Sequence, residues 1–238
     1  MAMRATGICV AALAGFVIAS SPLAAQDAGP RSLASRFSVS AVAGALLLDD
    51  EGLGFTREPV DGPRIEGRSD VAPLVGAVVA FDVVPAFSLA AHYARATTSM
   101  DVEASFLGEP VPAPPLEEDR IVVDLWGIRG RLSVPSEGPF RASAVVGYGT
   151  IEVDVDFQAV LSGTPFGPSG STARERMWEI GGGVEWRPGS HWGIRADVID
   201  HIQMCSGETH SEVNVCGRDG DIDRLHHFGI SGAVVLRL

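Results

Sequence analysis

Seven connections divide the chain into eight runs of β-branched, aromatic and small residues, and their lengths alternate strictly: 25, 3, 21, 6, 23, 5 and 22 residues. The runs span 36–48, 74–83, 87–98, 120–133, 140–151, 175–186, 192–203 and 226–238. A sandwich mixes loop lengths at both of its ends. A strict long–short order instead places every tight turn at one rim and every long loop at the other, as in an up-and-down barrel. Every proline beyond residue 25 is predicted to lie outside the strands, because proline cannot donate to a ladder.

Each run is apolar on one parity only. The first reads Phe37, Val39, Ala41, Ala43, Ala45, Leu47, and the last reads Phe228, Ile230, Gly232, Val234, Leu236, Leu238. Successive side chains on a strand point to opposite faces, so every strand owns one apolar face. Aromatic residues mark that face near the short turns (Phe37, Phe81, Phe87, Phe140, Trp186, Trp192) and again eight residues along at Tyr148 and Trp178. Eight residues on a tilted strand rise roughly 21 Å, close to the band that aromatic girdles bound in outer-membrane barrels. The apolar stripes are therefore expected to meet lipid.

The other parity carries small residues and opposite charges: Arg129, Arg131, Arg141, Glu179, Glu185, Arg195 and Asp197. Unpaired charges inside a narrow barrel are costly, so a salt-bridged plug is expected, with a gated ion path along the same groups as the alternative. One residue conflicts with the pattern. Asp124 shares the lipid-facing parity of Trp126, Ile128 and Leu132, which calls for a bulge or for a position above the hydrocarbon.

Arg4, a short apolar run and then small residues open the chain in the layout of a secretory signal peptide, with cleavage expected after Ala25. A short segment, 26–35, then leads into a barrel domain, 36–238. Removing Arg4 shifts the net charge from −12 to −13, which disfavours nucleic acid as a partner. The four long connections hold 21 acidic residues and 6 arginines, an acidic crown on a nearly neutral body. Solvation and repulsion explain such a crown; divalent cations bridging it to lipid phosphates are the sharper alternative.

With its signal peptide, eight strands, loop alternation and terminal stripe, the chain resembles the small outer-membrane β-barrel proteins of Gram-negative bacteria, the opacity and porin-like group. That family usually ends in Phe or Trp, and here the last residue is Leu238. The resemblance implies an all-β, eight-stranded antiparallel transmembrane barrel with four long outer loops and three short periplasmic turns. It further implies outer-membrane localisation, with lipids and the barrel assembly machinery as partners; a monomer is expected, and an extracellular ligand is expected through the acidic loops.

The remaining candidate sites are sparse. Cys205 and Cys216 are an even pair in an exported chain, so a disulfide is expected. The segment 217–224 alternates Asp219, Asp221 and Asp223 but lacks the glycine and the later glutamate of a calcium loop. Adjacent His226 and His227 face opposite ways, and His92 and His201 sit on the inward parity, near the long-loop rim. No cofactor, metal or catalytic motif is expected, so the function read from the sequence is non-enzymatic: an envelope protein with at most a narrow pore. A lipid-modifying enzyme using Ser99 and His92 is one alternative. A soluble periplasmic, lipocalin-like ligand-binding barrel, which would need the apolar stripes turned inward, is the other.

Overall fold

The alternating runs pair as their connections require. A computed structural model describes residues 33–49, 64–68, 71–99, 101–106, 109–111, 120–134, 136, 138–156, 159–161, 164–166, 171–205 and 224–238. The signal peptide expected at 1–25, and residues 26–32 of the segment 26–35, lie outside these residues; Ala34–Arg36 form a single 3-10 turn. Eight strands follow: β1 (Phe37–Leu47), β2 (Val71–Val84), β3 (Phe87–Thr98), β4 (Arg120–Ser133), β5 (Phe140–Asp156), β6 (Ser171–Trp186), β7 (Trp192–Met204) and β8 (Arg224–Arg237). Each pairs antiparallel with its neighbours, and β8 closes on β1 from Ser38↔Arg237 to Leu47↔Phe228.

The register fixes the geometry. From Arg95, partners through β4 and β5 lead to Arg174 on β6. The opposite way, through Val75, Ala43, Gly232 and Ala196, leads to Val184 on the same strand. Closure therefore has a stagger of ten residues, from 174 to 184, over eight strands. At 3.3 Å per residue and 4.8 Å between strands, that stagger tilts the strands by about 40°.

Exposure confirms the outward direction of the apolar stripes. Val75 (60%), Ile128 (65%), Val146 (55%) and Val198 (55%) project from the wall, where a soluble barrel would carry polar groups. A lipocalin-like reading needs the reverse orientation and does not fit this wall.

Three sequence expectations require correction. Strands β5 and β6 run to Asp156 and from Ser171, beyond the expected limits of 151 and 175. The long connections carry short ladders of their own, Arg64–Arg68 with Asp101–Phe106 and Glu109–Val111, and Ala159–Leu161 with Thr164–Phe166. Three prolines thus lie in strands: Pro73 in β2, and Pro110 and Pro165 in the short ladders. Pro73 is tolerated because the ladder from β2 to β3 starts only at Leu74, leaving one side of it with no bond to supply.

The lumen is not uniformly small and ionic. In its loop-side half Leu46, Ile121, Leu125, Ile151, Met177 and Leu225 are fully buried, packed with Leu74, Val123 and Val153 into an apolar core. Each such side chain contributes about 1.5–3 kcal/mol by leaving water.

Candidate functional site

Polar groups of the lumen converge below that apolar layer, and they do so because four strands present charges on one parity at matched register. Nearest the tight turns, Glu185 receives Arg187 through Nε and Nη2 at 3.0 Å each, and Arg237 also bonds it. Arg141 is the register partner of Glu185. A few residues deeper, Asp197 lies between Arg131 (2.9 and 3.1 Å) and Arg195 (2.8 Å), and Arg131 also donates to Ser143 Oγ.

At mid-depth Glu179, fully buried, accepts both donors of Arg129, Nε at 2.6 Å and Nη2 at 2.7 Å. Its Oε1 also lies 3.2 Å from His92 Nε2 and 3.0 Å from His201 Nδ1. These histidines therefore sit deeper than the long-loop rim expected from sequence. Above them His227 pairs with Gln203 at 3.0 Å, and its Nδ1 accepts the Asp49 amide at 3.1 Å. The apolar core follows.

Glycine makes room for these ions. A Cβ on Gly147 would lie 2.5 Å from Glu179 Oε2 and 3.0 Å from Ile128 O, so the carboxylate occupies space that any other residue would fill. Among the described residues, two voids of about 30 and 20 Å³ border the charged tiers, each with space for one or two water molecules.

The outer wall resolves Asp124. Register is unbroken through β3, β4 and β5, so no bulge is present. Asp124 stays on the outer parity, where Arg95 binds it at 2.8 and 2.6 Å and Tyr93 Oη donates to it at 2.6 Å. The same height holds Arg174 with Glu152 (2.7 Å), Arg174 over the Trp126 ring (5.4 Å) and His226 with Asp200 (2.9 Å). Along β4 the inward neighbours of Asp124 are Val123 and Leu125, both fully buried. The apolar parity therefore inverts here, outward toward the turns and inward toward the loops.

Aromatic rings line the wall just on the turn side of the inversion. Tyr148 meets Trp178 (5.0 Å), and Tyr93 and Trp126, which the expected girdle omitted, are register partners on its level. At the turn end Phe37 meets Phe81 (5.0 Å) and Trp186 meets Trp192 (5.8 Å), with Phe87 and Phe140 beside them. With the strand tilt, the two rings stand about 20 Å apart.

Some expected sites are not assembled. Ser99 is exposed, one residue past the end of β3, while His92 is buried seven residues earlier, about 23 Å away along an extended chain at 3.3 Å per residue, so they form no hydrolytic pair. Cys205 ends next to the apolar core, while Cys216 and residues 217–223 of the aspartate-rich segment lie outside the described residues. Among the described residues no group of three or more His, Cys, Asp or Glu could hold a metal ion.

The crystal structure of Neisserial surface protein A superimposes on 86% of this chain and 98% of its own, with a TM-score of 0.50 at 12% identity. The chain has the fold of the small eight-stranded outer-membrane barrels. Outer membrane protein OprG from Pseudomonas aeruginosa aligns at a TM-score of 0.47 with 8% identity, over 86% of this chain and 98% of that one. Outer membrane protein AlkL, solved in DMPC lipid bilayers, aligns at 0.40 with 12% identity, over 89% of this chain and 95% of that one. No family model matches the chain, and no curated protein matches its sequence.

Proposed function

We propose that the chain is a monomeric, non-enzymatic integral protein of the bacterial outer membrane, exported by its first 25 residues. Its barrel anchors and stiffens the envelope, and its acidic loops engage an extracellular ligand. The observation that carries this reading is the apolar outer wall bounded by two aromatic rings and capped by ion pairs at the upper ring. A wall of that height and chemistry suits a bilayer's hydrocarbon and headgroup layers. Paired ions in the lower lumen and an apolar core above them favour a solid body over a pore.

Membrane fractionation tests the reading. The protein is expected to stay with the membrane through a carbonate wash and to migrate differently on a gel before and after boiling; release into the soluble fraction refutes it. Lipid profiles unchanged on deleting the gene are expected of a non-enzymatic role. A disulfide between Cys205 and Cys216 is proposed as a staple of the last loop, worth at most about 3 kcal/mol for so short a loop. Mass spectrometry of a non-reduced digest should find the two cysteine peptides joined; separate alkylated peptides would exclude the bond.

A further inference from the structure

The described side-chain charges at the turn-side mouth lean to the positive. Among the described side chains, five guanidinium groups face the lumen from the Asp197 level to the mouth: Arg131, Arg141, Arg187, Arg195 and Arg237. Three carboxylates face them, Asp82, Glu185 and Asp197. Two of these already hold two arginines apiece, Arg131 and Arg195 on Asp197 and Arg187 and Arg237 on Glu185. Among these described side chains the guanidiniums outnumber the carboxylates by two, and Asp197 and Glu185 are each shared by two of them, in a narrow lumen where a further anion would be favoured.

A void of about 30 Å³ lies among Asp82, Glu185, Arg131, Arg187, Arg195 and Arg237. Arg237 Nη1 is buried there with no hydrogen-bond partner. A positive surplus, an unspent donor and empty space together describe a receptor for an anion. Guanidinium forks match the paired oxygens of an oxyanion better than a spherical halide.

We propose that the turn-side mouth of the barrel is an oxyanion site, in which Arg187, Arg237 and Arg131 hold one phosphate- or sulfate-sized group. The group comes either from a free inorganic anion or from the phosphate of a lipid headgroup. The site rests on the lumen geometry alone and stands whether or not the envelope role does.

The test uses the full barrel refolded in maltoside micelles, with folding verified by the gel shift. Inorganic phosphate is titrated against chloride at matched ionic strength, and binding is read by calorimetry and by the melting midpoint. Phosphate is expected to bind and raise the midpoint while chloride does not. Arg187→Gln and Arg237→Gln should each weaken binding about tenfold, and Asp82→Asn, which removes an opposing charge, should tighten it about threefold. The opposite responses of these variants separate a binding role from a loss of fold. Repeating the titration in phosphatidylglycerol vesicles assigns the source: a suppressed response points to lipid phosphate, an undiminished one to the free anion. Equal responses to phosphate and chloride in micelles, or a phosphate response unchanged in both arginine variants, would overturn the proposal.

Discussion

Replacing Glu179 by Gln keeps the volume of the side chain and removes its charge. In the folded barrel that carboxylate is fully buried, and its partner Arg129 is 12% exposed at the side chain. The pair makes two charge-assisted bonds, at 2.6 and 2.7 Å. Bonds of this kind contribute about 1.5–3 kcal/mol each when made, and stranding the surviving ion raises the loss to about 3–5 kcal/mol for a buried pair. Glu152 offers the control. It binds Arg174 at a similar distance, but their side chains are 18% and 65% exposed, so Glu152→Gln should cost only about 0–1 kcal/mol. The two substitutions are chemically identical, and their difference isolates burial.

Urea unfolding in lipid vesicles, followed by tryptophan emission and by the gel shift, measures both. Adding Arg129→Met to Glu179→Gln should recover about 2 kcal/mol, because no lone guanidinium then remains in the lumen. If Glu179→Gln proves no costlier than Glu152→Gln, the lumen is wetter than the packing implies and the account of a sealed charge plug is wrong.

Other perturbations probe different parts of the wall and lumen. Gly147→Ala should lower the unfolding free energy by about 1–3 kcal/mol, since the new methyl meets Glu179 Oε2 at 2.5 Å; a neutral result in the same urea assay would show that the carboxylate can move aside. Val146→Arg, on the wall between the rings, should cost roughly 2 kcal/mol in vesicles, and an equal cost in water-soluble polymer would mean that lipid is not its surroundings. In planar bilayers the protein should carry no steady current, and the Glu179→Gln, Arg129→Met double variant should stay silent too, because Leu125, Ile151 and Met177 still close the lumen above it. Current appearing on that substitution would show that the ions, and not the apolar core, form the seal.

The turn-side half of the barrel is legible in the sequence, and the loop-side half is only partly so. Strands begin at Phe37, Phe87, Phe140 and Trp192, where an aromatic residue follows a polar or proline-bearing turn, and both signals mark the same boundary. Toward the loops the expected strands stop short at Ile151 and start late at Glu175. There the outward residues become Thr150, Glu152, Asp154, Thr172 and Arg174, while apolar side chains such as Ile151, Val153 and Ala173 turn inward. A period-two reading that follows one apolar parity ends where the parity changes hands. The inward charges are visible as a set from parity alone. Which carboxylate takes which arginine depends on the ten-residue stagger of closure, which no single strand reveals.

Asp124 carries the most information of any residue on the wall, because its conflict with the outward parity is the inversion itself. On the proposed membrane reading the surroundings are lipid toward the turns and water toward the loops, and toward the turns apolar groups face out while polar groups pair along the axis. Toward the loops the same backbone is built as a soluble barrel is, with Val123 and Leu125 inside and Arg95 and Asp124 paired outside. Tyr93 joins the two regimes, its ring on the apolar side and its hydroxyl on the Asp124 carboxylate. From Tyr148 to Asp156, strand β5 continues another eight residues, about 20 Å of rise along the axis at the strand tilt. A barrel that needed only to cross the bilayer would end near the upper ring. The added length is a packed, apolar-cored extension of the barrel above the upper ring, and on the proposed outer-membrane reading it carries the strand ends about 20 Å beyond that ring.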